Sequence, residues 1–357
     1  MRAKVYLSDD GFGHLVRQEA IIKQLLKANL DITIQTKNKI DIAHQKFGAT
    51  VQYIKKFNNI ETKKHVTGYL DREETKKYFI SYLTNSQKFI EEENKDFNYD
   101  FVISDTVPEA HVIAKMNSVP SFGIFHFEWA WFCARVFPEL KEVSNLMKSY
   151  YKQATQIYLP PLAPKEVSDL YANISTNVPF IINSFDNVDI LNTGKKNVLI
   201  MDNGTSTLSE IIIHNFSTIE KMDKYHFFIS KSLAKQDGKN ITRVEGLKLI
   251  HSHIPKVDVL VARAGYNTIT ESIITKVPAL FVNEGANPEV AHNINAVCKD
   301  KLGHSMTVEQ YKNNFNEVFE SFMTKEYNII KENLVNCDFA SNGANIIAED
   351  ILRRVGK

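Results

Sequence analysis

The 357 residues of this chain, 43% of them hydrophobic, suffice for two domains of ordinary size, each with its own core. A formal net charge of +1 gives no electrostatic argument for binding nucleic acid or an anionic membrane surface. The three cysteines match neither a metal motif nor a disulfide framework, which favours a reducing compartment.

The apolar runs of the chain are short. The segment that follows Met1 is too short for a signal peptide, and no stretch approaches the ~18 consecutive apolar residues that span a bilayer. We therefore expect a cytoplasmic protein that makes at most peripheral contact with a membrane.

The first half of the chain alternates strand-like and helix-like patterns. Short apolar strands are predicted at residues 5–8, 32–34, 50–54, 101–104 and 121–125. Helices are predicted after His14, at residues 72–93 and from Pro108 onwards. This βα repeat predicts an α/β fold with a parallel sheet. His14 ends the glycine-containing turn after the first strand, and Asp105 stands just past the fourth.

A polar, turn-rich segment at residues 186–196 separates the two halves, and the predicted domains are 1–190 and 191–357. The second half restarts the pattern with predicted strands at 197–201, 225–229, 241–244 and 257–262 and with a turn at 202–206. The last helix, 342–355, carries an apolar stripe and is a candidate to pack back on the first domain. We expect two Rossmann-like domains facing across a cleft, and such clefts are common ligand sites.

Residues 258–282 read as strand, turn, helix and strand, which is one unit of a parallel sheet. Gly265 and Asn267 tolerate a tight turn, and a helix is predicted at 268–276. Amides at the start of that helix would favour a diphosphate, and Glu271, placed in its first turn, would accept hydrogen bonds from ribose hydroxyls. The alternative is an ordinary strand–turn–helix in which Glu271 complements the helix dipole. The residues alone leave both interpretations open.

Two turn regions, taken in order, resemble glycosyltransferases of the GT-B fold. The similarity is to family 28, which includes the peptidoglycan GlcNAc transferases. It rests on Gly11-Phe-Gly13-His14, on Arg263-Ala-Gly265-Tyr-Asn-Thr268-Ile-Thr-Glu271, and on the segment that continues through Pro278 to His292-Asn-Ile-Asn295-Ala296. Ser104-Asp105 and His126-Phe-Glu128 also fit the pattern. The resemblance implies a GT-B fold, a nucleotide-sugar donor and inversion at the anomeric carbon.

The resemblance also implies roles for particular residues. His14 matches a loop histidine near the acceptor and the anomeric carbon of the donor. Gly265, Asn267 and Thr268 match the loop whose backbone meets the diphosphate, and Glu271 matches the glutamate that holds the ribose. The region that contacts the donor sugar corresponds to His292 and Asn295.

Position along the chain adds further candidates. For the diphosphate these are Gly204, Thr205 and Arg263; for the donor sugar, Glu284, Gly285 and Glu289; and for the acceptor side, Gly13, Arg17, His126 and Glu128. Arg17 and Arg263 have structural alternatives, a salt bridge or a loop brace. The alternative for residues 284–289 is a plain capped turn.

The chain departs from the peptidoglycan enzymes at two places. It carries Ala291 and His292 where those enzymes have a pair of glutamines, and its first loop is shorter. The donor sugar and the acceptor therefore stay unassigned. The pattern Gly11-x-Gly13-His14-x-x-Arg17 also resembles the UDP-sugar hydrolase of pseudaminic acid synthesis, which passes the sugar to water.

Sugar transfer requires a stabilised leaving diphosphate, a base for the acceptor hydroxyl and aligned reactants. Helix N-termini can stabilise the leaving diphosphate without a metal, and the sequence has no spaced pair of aspartates that would suggest a metal site. We therefore expect no cofactor. His14 is the candidate base because the ordinary pKa of histidine lies near physiological pH, and Asp105 would orient its ring. The alternatives are a loop-filling His14 and an Asp105 that caps the helix beginning at Pro108.

The segment 125–132 holds both tryptophans of the chain, Trp129 and Trp131. Aromatic rings with a few polar groups suit a sugar or a lipid-linked acceptor, whereas the alternative is core packing. Together these features predict an inverting, metal-independent glycosyltransferase that moves a sugar from a nucleotide donor, UDP in the first instance, to a cell-envelope, glycan or lipid-linked acceptor. A nucleotide-sugar hydrolase and a non-catalytic nucleotide-binding module are the alternatives.

Overall fold

The computed structural model describes residues 1–11, 13–58, 61–65, 70–190, 193–201, 207–231, 233–244, 251–283, 285, 287–337 and 341–356. The chain divides into two compact units. The first comprises Met1–Lys63, Asp71–Asn183 and Ser341–Lys357, and the second comprises Lys64–Leu70 and Ser184–Ala340. The main passage from the first unit to the second, after Asn183, lies a few residues before the polar segment that the sequence marks as a boundary.

Among the described residues, the first unit forms a seven-stranded parallel sheet of order β3-β2-β1-β4-β5-β6-β7. Its strands are β1 (Arg2–Leu7), β2 (Asp31–Gln35), β3 (Gln52–Ile54), β4 (Phe101–Asp105), β5 (Ser121–Ile124), β6 (Gln156–Leu159) and β7 (Ser175–Asn177). The intervening helices are α1 (Gly13–Leu26), α2 (Ile40–Phe47), α3 (Arg72–Asn94), α4 (Glu109–Met116), α5 (Trp129–Val136), α6 (Lys141–Tyr151) and α7 (Lys165–Leu170).

The second unit repeats this design. Its described residues form a six-stranded parallel sheet of order β10-β9-β8-β11-β12-β13. The strands are β8 (Lys196–Met201), β9 (Tyr225–Ser230), β10 (Ile241–Val244), β11 (Val259–Arg263), β12 (Ala279–Asn283) and β13 (His304–Thr307). The helices are α8 (Thr207–Glu220), α9 (Tyr266–Thr275), α10 (Pro288–Lys299), α11 (Val308–Lys325) and α12 (Tyr327–Asn336), and α13 (Gly343–Arg354) returns to the first unit.

Both sheets reverse their strand order at one point. In the first sheet β1 lies between β2 and β4, and in the second β8 lies between β9 and β11. The connections on the two sides of such a point leave towards opposite faces of the sheet, which opens a crevice at the carboxyl ends of the two central strands. The predicted architecture of two doubly wound α/β sheets is therefore confirmed, and ligand-binding residues are expected in the loops after β1, β4, β8 and β11.

The C-terminal helix α13 is part of the core of the first unit. Its apolar stripe of Ala344, Ile347, Ala348 and Ile351 is buried with residues of α1, β1, β2 and β4. The first residue of the helix lies close to the segment around Phe180, since the amide of Gly343 donates to the carbonyl of Phe180 at 2.8 Å. A Cβ atom at position 343 would lie 2.2 Å from the carbonyl oxygen of Pro179, so the approach requires glycine.

Replacement of Ile351 by Ala should lower the free energy of unfolding by about 2–5 kcal/mol, because it leaves a cavity at a fully buried site. Ile346, which is 39% exposed on the same helix, provides the matched control. Its replacement by Ala should change stability by no more than about 0.5 kcal/mol. Urea unfolding of both variants measures the difference, and equal losses would show that α13 is not bound through its stripe.

Candidate active site

The crevice of the first sheet is lined by one residue from each central connection. Asp105 ends β4 and pairs with Leu7, the last residue of β1, in the parallel register. His14 is the second residue of α1, which follows β1. Both side chains are buried, and Nδ1 of His14 lies 2.6 Å from Oδ1 of Asp105. The sequence-based pairing of these two residues is thus present in the structure.

The hydrogen-bond pattern indicates which nitrogen of His14 carries the proton. Nδ1 also lies 3.2 Å from an Nη atom of Arg17, but one ring nitrogen cannot both donate to Asp105 and accept from Arg17. The shorter contact, to the carboxylate, assigns Nδ1 as the donor. The opposite nitrogen, Nε2, makes no hydrogen bond to any described residue. In the neutral ring Nε2 is therefore the proton acceptor, as a general base requires.

Asp105 accepts further hydrogen bonds from α1. The Nε of Arg17 donates to Oδ2 at 3.1 Å, its Nη2 donates to Oδ1, and Nε2 of Gln18 donates to Oδ2 at 2.8 Å. Complete burial alone would raise the pKa of this carboxyl group, but the charge of Arg17 and the contact with His14 outweigh it and hold the pKa far below its ordinary value. Asp105 is consequently an anion under all physiological conditions.

The network extends to the loop after β5. Nη1 of Arg17 lies 3.2 Å from Nδ1 of His126, which is 1% exposed. Of the predicted acceptor-side residues, Arg17 and His126 therefore contact the His14–Asp105 pair. Gly13, which is exposed, is the first residue of α1, the helix that carries His14 and Arg17.

Glu128 occupies a different environment. Its fully buried carboxylate accepts hydrogen bonds from the amides of Ala130 and Trp131 and thereby caps the N-terminus of α5. Desolvation raises its pKa to about 7 despite those two hydrogen bonds. The structure shows a capping role for this side chain, and its assignment to the acceptor side stays a prediction.

Glu128 should make stability depend on pH. Since its pKa is raised from an ordinary value of about 4.3 to about 7 in the folded protein, the folded state retains a proton that the unfolded state loses. Stability should therefore fall as pH rises from about 5 to about 7. Replacement of Glu128 by Gln should abolish this part of the slope, which thermal unfolding across that range measures. A slope that survives the replacement would assign the titration to another group.

The tryptophans are core residues. Trp129 and Trp131 are 1% and 6% exposed and pack with Phe127 at centroid distances of 5.5 and 6.3 Å. Phe132 lies 5.3 Å from Trp129 in the same cluster. The core-packing alternative is therefore correct for both, and neither indole is retained as an acceptor platform.

Asp9 and Asp10 organise the loops above the first sheet. Oδ1 of Asp9 accepts from the Oγ1 of Thr36 at 2.8 Å and from two backbone amides, while Oδ2 accepts from the amide of Asn58. Asp10 accepts from Thr62. Within the described ranges no group of three His, Cys, Asp or Glu side chains is arranged to hold a metal ion.

The second sheet carries a comparable turn after β11. Arg263 ends the strand, and Gly265, in extended conformation, is the N-cap of α9 and supplies no side-chain cap. The helix begins at Tyr266, two residues before the predicted start, because the carbonyl of Gly265 already accepts from the amide of Ile269 at 3.0 Å. Glu271 therefore lies in the second turn, and the prediction that placed it in the first was wrong. Asn267 and Thr268 fall in the first turn instead.

Glu271 has a partner that sequence reasoning missed. Nδ1 of His251, in a short 3-10 helix (His251–Lys256), lies 2.6 Å from its Oε2. The second carboxylate oxygen, Oε1, has no hydrogen bond to the residues that the structure describes. Glu271 is therefore oriented by the protein on one side and retains one acceptor atom. Because the two residues are twenty positions apart and belong to no motif, no local signal in the sequence could have revealed the contact.

The remaining candidates lie on α10 and its approach. Asn287 caps this helix through the amides of Glu289 and Val290, and Glu289, His292 and Asn295 follow at a spacing of three, which places them along one face. Asn293 donates to the carbonyl of Ala264 at 3.5 Å, so this helix packs beside the turn that precedes α9. Gly285 has a positive φ of +74°. Gly204, Thr205 and Glu284 lie outside the described residues.

No family model and no curated protein matches the sequence, but solved structures match nearly its whole length. The glycotransferase of kitacinnamycin superposes with a TM-score of 0.73 at 13% identity, covering 99% of this chain and 98% of its own. The calicheamicin glycosyltransferase CalG4 gives 0.69 at 13% identity over 100% of both chains. The fold is GT-B. A UDP-glucosyltransferase from Polygonum tinctorium gives 0.70 at 11% identity over 99% and 98%.

The GT-B assignment confirms the fold that the turn motifs implied. It also explains why both candidate clusters occupy equivalent places, since each follows the two central strands of a Rossmann-like sheet. Among the described residues of this GT-B chain, no helix is both long and apolar enough to cross a membrane.

Proposed function

We propose that this GT-B protein is an inverting glycosyltransferase that moves a sugar from a nucleotide donor, UDP in the first instance, to an acceptor hydroxyl. The observation that carries the proposal is the His14–Asp105 pair, whose Nδ1–Oδ1 distance of 2.6 Å leaves Nε2 of the ring as the base. The fold neighbours that are glycosyltransferases support the reaction class, and the Polygonum tinctorium enzyme supports UDP.

The proposed step is a direct displacement. Nε2 of His14 takes the proton of the acceptor hydroxyl as its oxygen attacks the anomeric carbon. The bond from that carbon to the diphosphate oxygen breaks, and the nucleoside diphosphate leaves with the electron pair. Attack opposite the leaving group inverts the configuration. Asp105 stabilises the imidazolium that forms, in the way that buried carboxylates support catalytic histidines.

Donor binding is assigned to the second unit. The N-terminus of α9, with Gly265, Asn267 and Thr268, favours the charge of a diphosphate through its helix dipole and backbone amides, so the leaving group needs no metal. Glu271, held by His251 through one oxygen, offers the other to the ribose hydroxyls. Arg263 is proposed to contact the phosphate, and Glu289, His292 and Asn295 on one face of α10 are proposed to contact the sugar.

Turnover assays distinguish this reaction from its alternatives. The protein is incubated with a panel of UDP-, CDP- and GDP-sugars, with and without cell-envelope extract. A transferase releases the nucleoside diphosphate only with an acceptor present. A hydrolase, which the pattern Gly11-x-Gly13-His14-x-x-Arg17 favours as second candidate, releases free sugar from the donor alone. Binding of a nucleotide without turnover of any donor would reject both in favour of a binding module.

Glu271 is the sharpest test of donor binding. Its replacement by Ala should weaken UDP binding by about 10-fold to 100-fold, the usual effect of losing a hydrogen bond to a charged group. Titration calorimetry with UDP measures this directly. Replacement of Glu332 by Gln, at an exposed position of α12 in the same unit, is the matched control and should leave the affinity unchanged. Equal affinities for the two variants would remove Glu271 from the donor site.

A further inference from the structure

The side chain of Arg17 is almost entirely enclosed by the protein. It is 3% exposed, and each of its three guanidinium nitrogens contacts a protein group. Nε and Nη2 contact the two oxygens of Asp105, Nη2 also approaches His14, and Nη1 approaches His126. An arginine that binds a substrate phosphate or carboxylate presents the two-pronged edge of its guanidinium group, its fork, to the ligand. In Arg17 this fork faces a carboxylate of the protein instead.

The sequence spacing accounts for this geometry. His14, Arg17 and Gln18 occupy positions i, i+3 and i+4 of α1 and therefore share one face of the helix. All three donate to Asp105, which receives four hydrogen bonds in total. A carboxylate offers about four lone-pair sites, so this one is saturated. With every site occupied, the carboxylate cannot rotate away from His14.

We propose that Arg17 is a positioning residue, which fixes the carboxylate of Asp105 on Nδ1 of His14 and links that pair to His126, without touching the donor or the acceptor. The inference rests on the proposed function, since it treats His14 as the base. The positioning role of Arg17 is separate from the proton transfer assigned to the His14–Asp105 pair. A buried carboxylate would otherwise be costly, and the permanent charge of Arg17 compensates it.

The test compares four variants with the wild type: Arg17→Gln, Arg17→Lys, Asp105→Asn and the double variant Arg17→Gln/Asp105→Asn. Lys23→Gln, which removes a half-exposed cation from the same helix, is the matched control. We expect Arg17→Gln to lower kcat by about 10-fold to 100-fold, the scale of a misaligned catalytic group. The KM for the donor and the Kd for UDP should stay within about twofold, because positioning does not change binding. Arg17→Lys should recover part of kcat, since it restores the charge but not the fork.

The double variant decides whether Arg17 acts through Asp105. If it does, Arg17→Gln should have little further effect once Asp105 is Asn, and kcat should stay within about threefold of the Asp105→Asn single variant. Multiplicative losses would overturn the proposal, as would a rise of 10-fold or more in KM with kcat unchanged, which marks direct substrate binding. The double variant also removes both buried charges together, so it serves if Arg17→Gln alone does not fold.

A spectroscopic readout separates this proposal from the proposed function. Nitrogen-15 NMR of the imidazole should find Nδ1 of His14 protonated in the wild type and a mixture of tautomers in Arg17→Gln. An unchanged tautomer in that variant would overturn the positioning role even in a protein that turns over no nucleotide sugar. Absence of turnover in the wild type, with the tautomer shift present, would instead reject the proposed function and retain the role of Arg17.

Discussion

Replacement of His14 by Ala should reduce turnover of the nucleotide sugar by about 100-fold or more, the usual contribution of a general base. The affinity for UDP should stay near that of the wild type, because the residues proposed to bind the donor belong to the second unit. Initial rates with the best donor of the panel, together with calorimetric titration of UDP, measure the two quantities separately. Loss of kcat without loss of binding is the signature of a group that acts in the chemical step.

The control for this experiment is His44→Ala, which removes an exposed histidine from α2 of the same unit. It should leave turnover unchanged. If His14→Ala retains wild-type turnover, His14 is not the base, and the alternative that its side chain only fills space becomes correct. If both variants lose activity equally, the effect comes from stability and not from proton transfer, which thermal unfolding of each would reveal.

Replacement of Asp105 by Asn should affect both turnover and stability. Turnover should fall by about 100-fold to 10,000-fold, because an amide can present its N–H to Nδ1 and select the wrong tautomer of His14. Stability should fall by about 3–5 kcal/mol, because Arg17 is left as an uncompensated buried charge. Kinetics and urea unfolding measure the two losses, and Asp96→Asn, at an exposed position of the same unit, is the matched control.

The stability difference should also depend on pH. The pKa of Asp105 is far below its ordinary value in the folded protein, so its contribution is complete above the unfolded pKa of about 4 and is lost as pH falls towards the folded value. The gap between wild type and Asp105→Asn should therefore be largest near neutral pH and narrow progressively below pH ~4. A gap that stays constant down to pH ~2 would mean that Asp105 does not stabilise the fold through its charge.

The α/β architecture could be predicted from the sequence because the patterns that indicate its strands and helices are local. Strands such as β4 and β11 are buried on both faces and appear as uninterrupted apolar runs, and α3 carries a long helical pattern whose predicted bounds differ by one residue from those observed. The start of α9 was misplaced because a glycine in extended conformation serves as N-cap without any capping side chain, so Thr268 looked like a better start than Tyr266.

The candidate site could be predicted from the sequence only in part. His14 and Asp105 could be paired because the sequence places each near the carboxyl end of a predicted strand, and the carboxyl ends of neighbouring parallel strands meet at one edge of the sheet. Arg17 was identified as a candidate, but whether its fork faces a ligand or the protein depends on side-chain packing that no spacing reveals. Gln18 and His251 were missed, since an amide within a helix and a histidine in a short 3-10 turn carry no distinguishing pattern.

The return of α13 to the first unit has a consequence for biosynthesis. On the ribosome, the sheet from β1 to β7 emerges early, yet Ala344, Ile347, Ala348 and Ile351 are translated only after the whole second unit. Until then the apolar surface that they cover is open to water or to chaperones. The first unit is therefore the first to be synthesised and the last to be completed. A gene divided between the two units would yield a first unit without α13 in its core and a second unit that carries α13 without the surface that α13 covers.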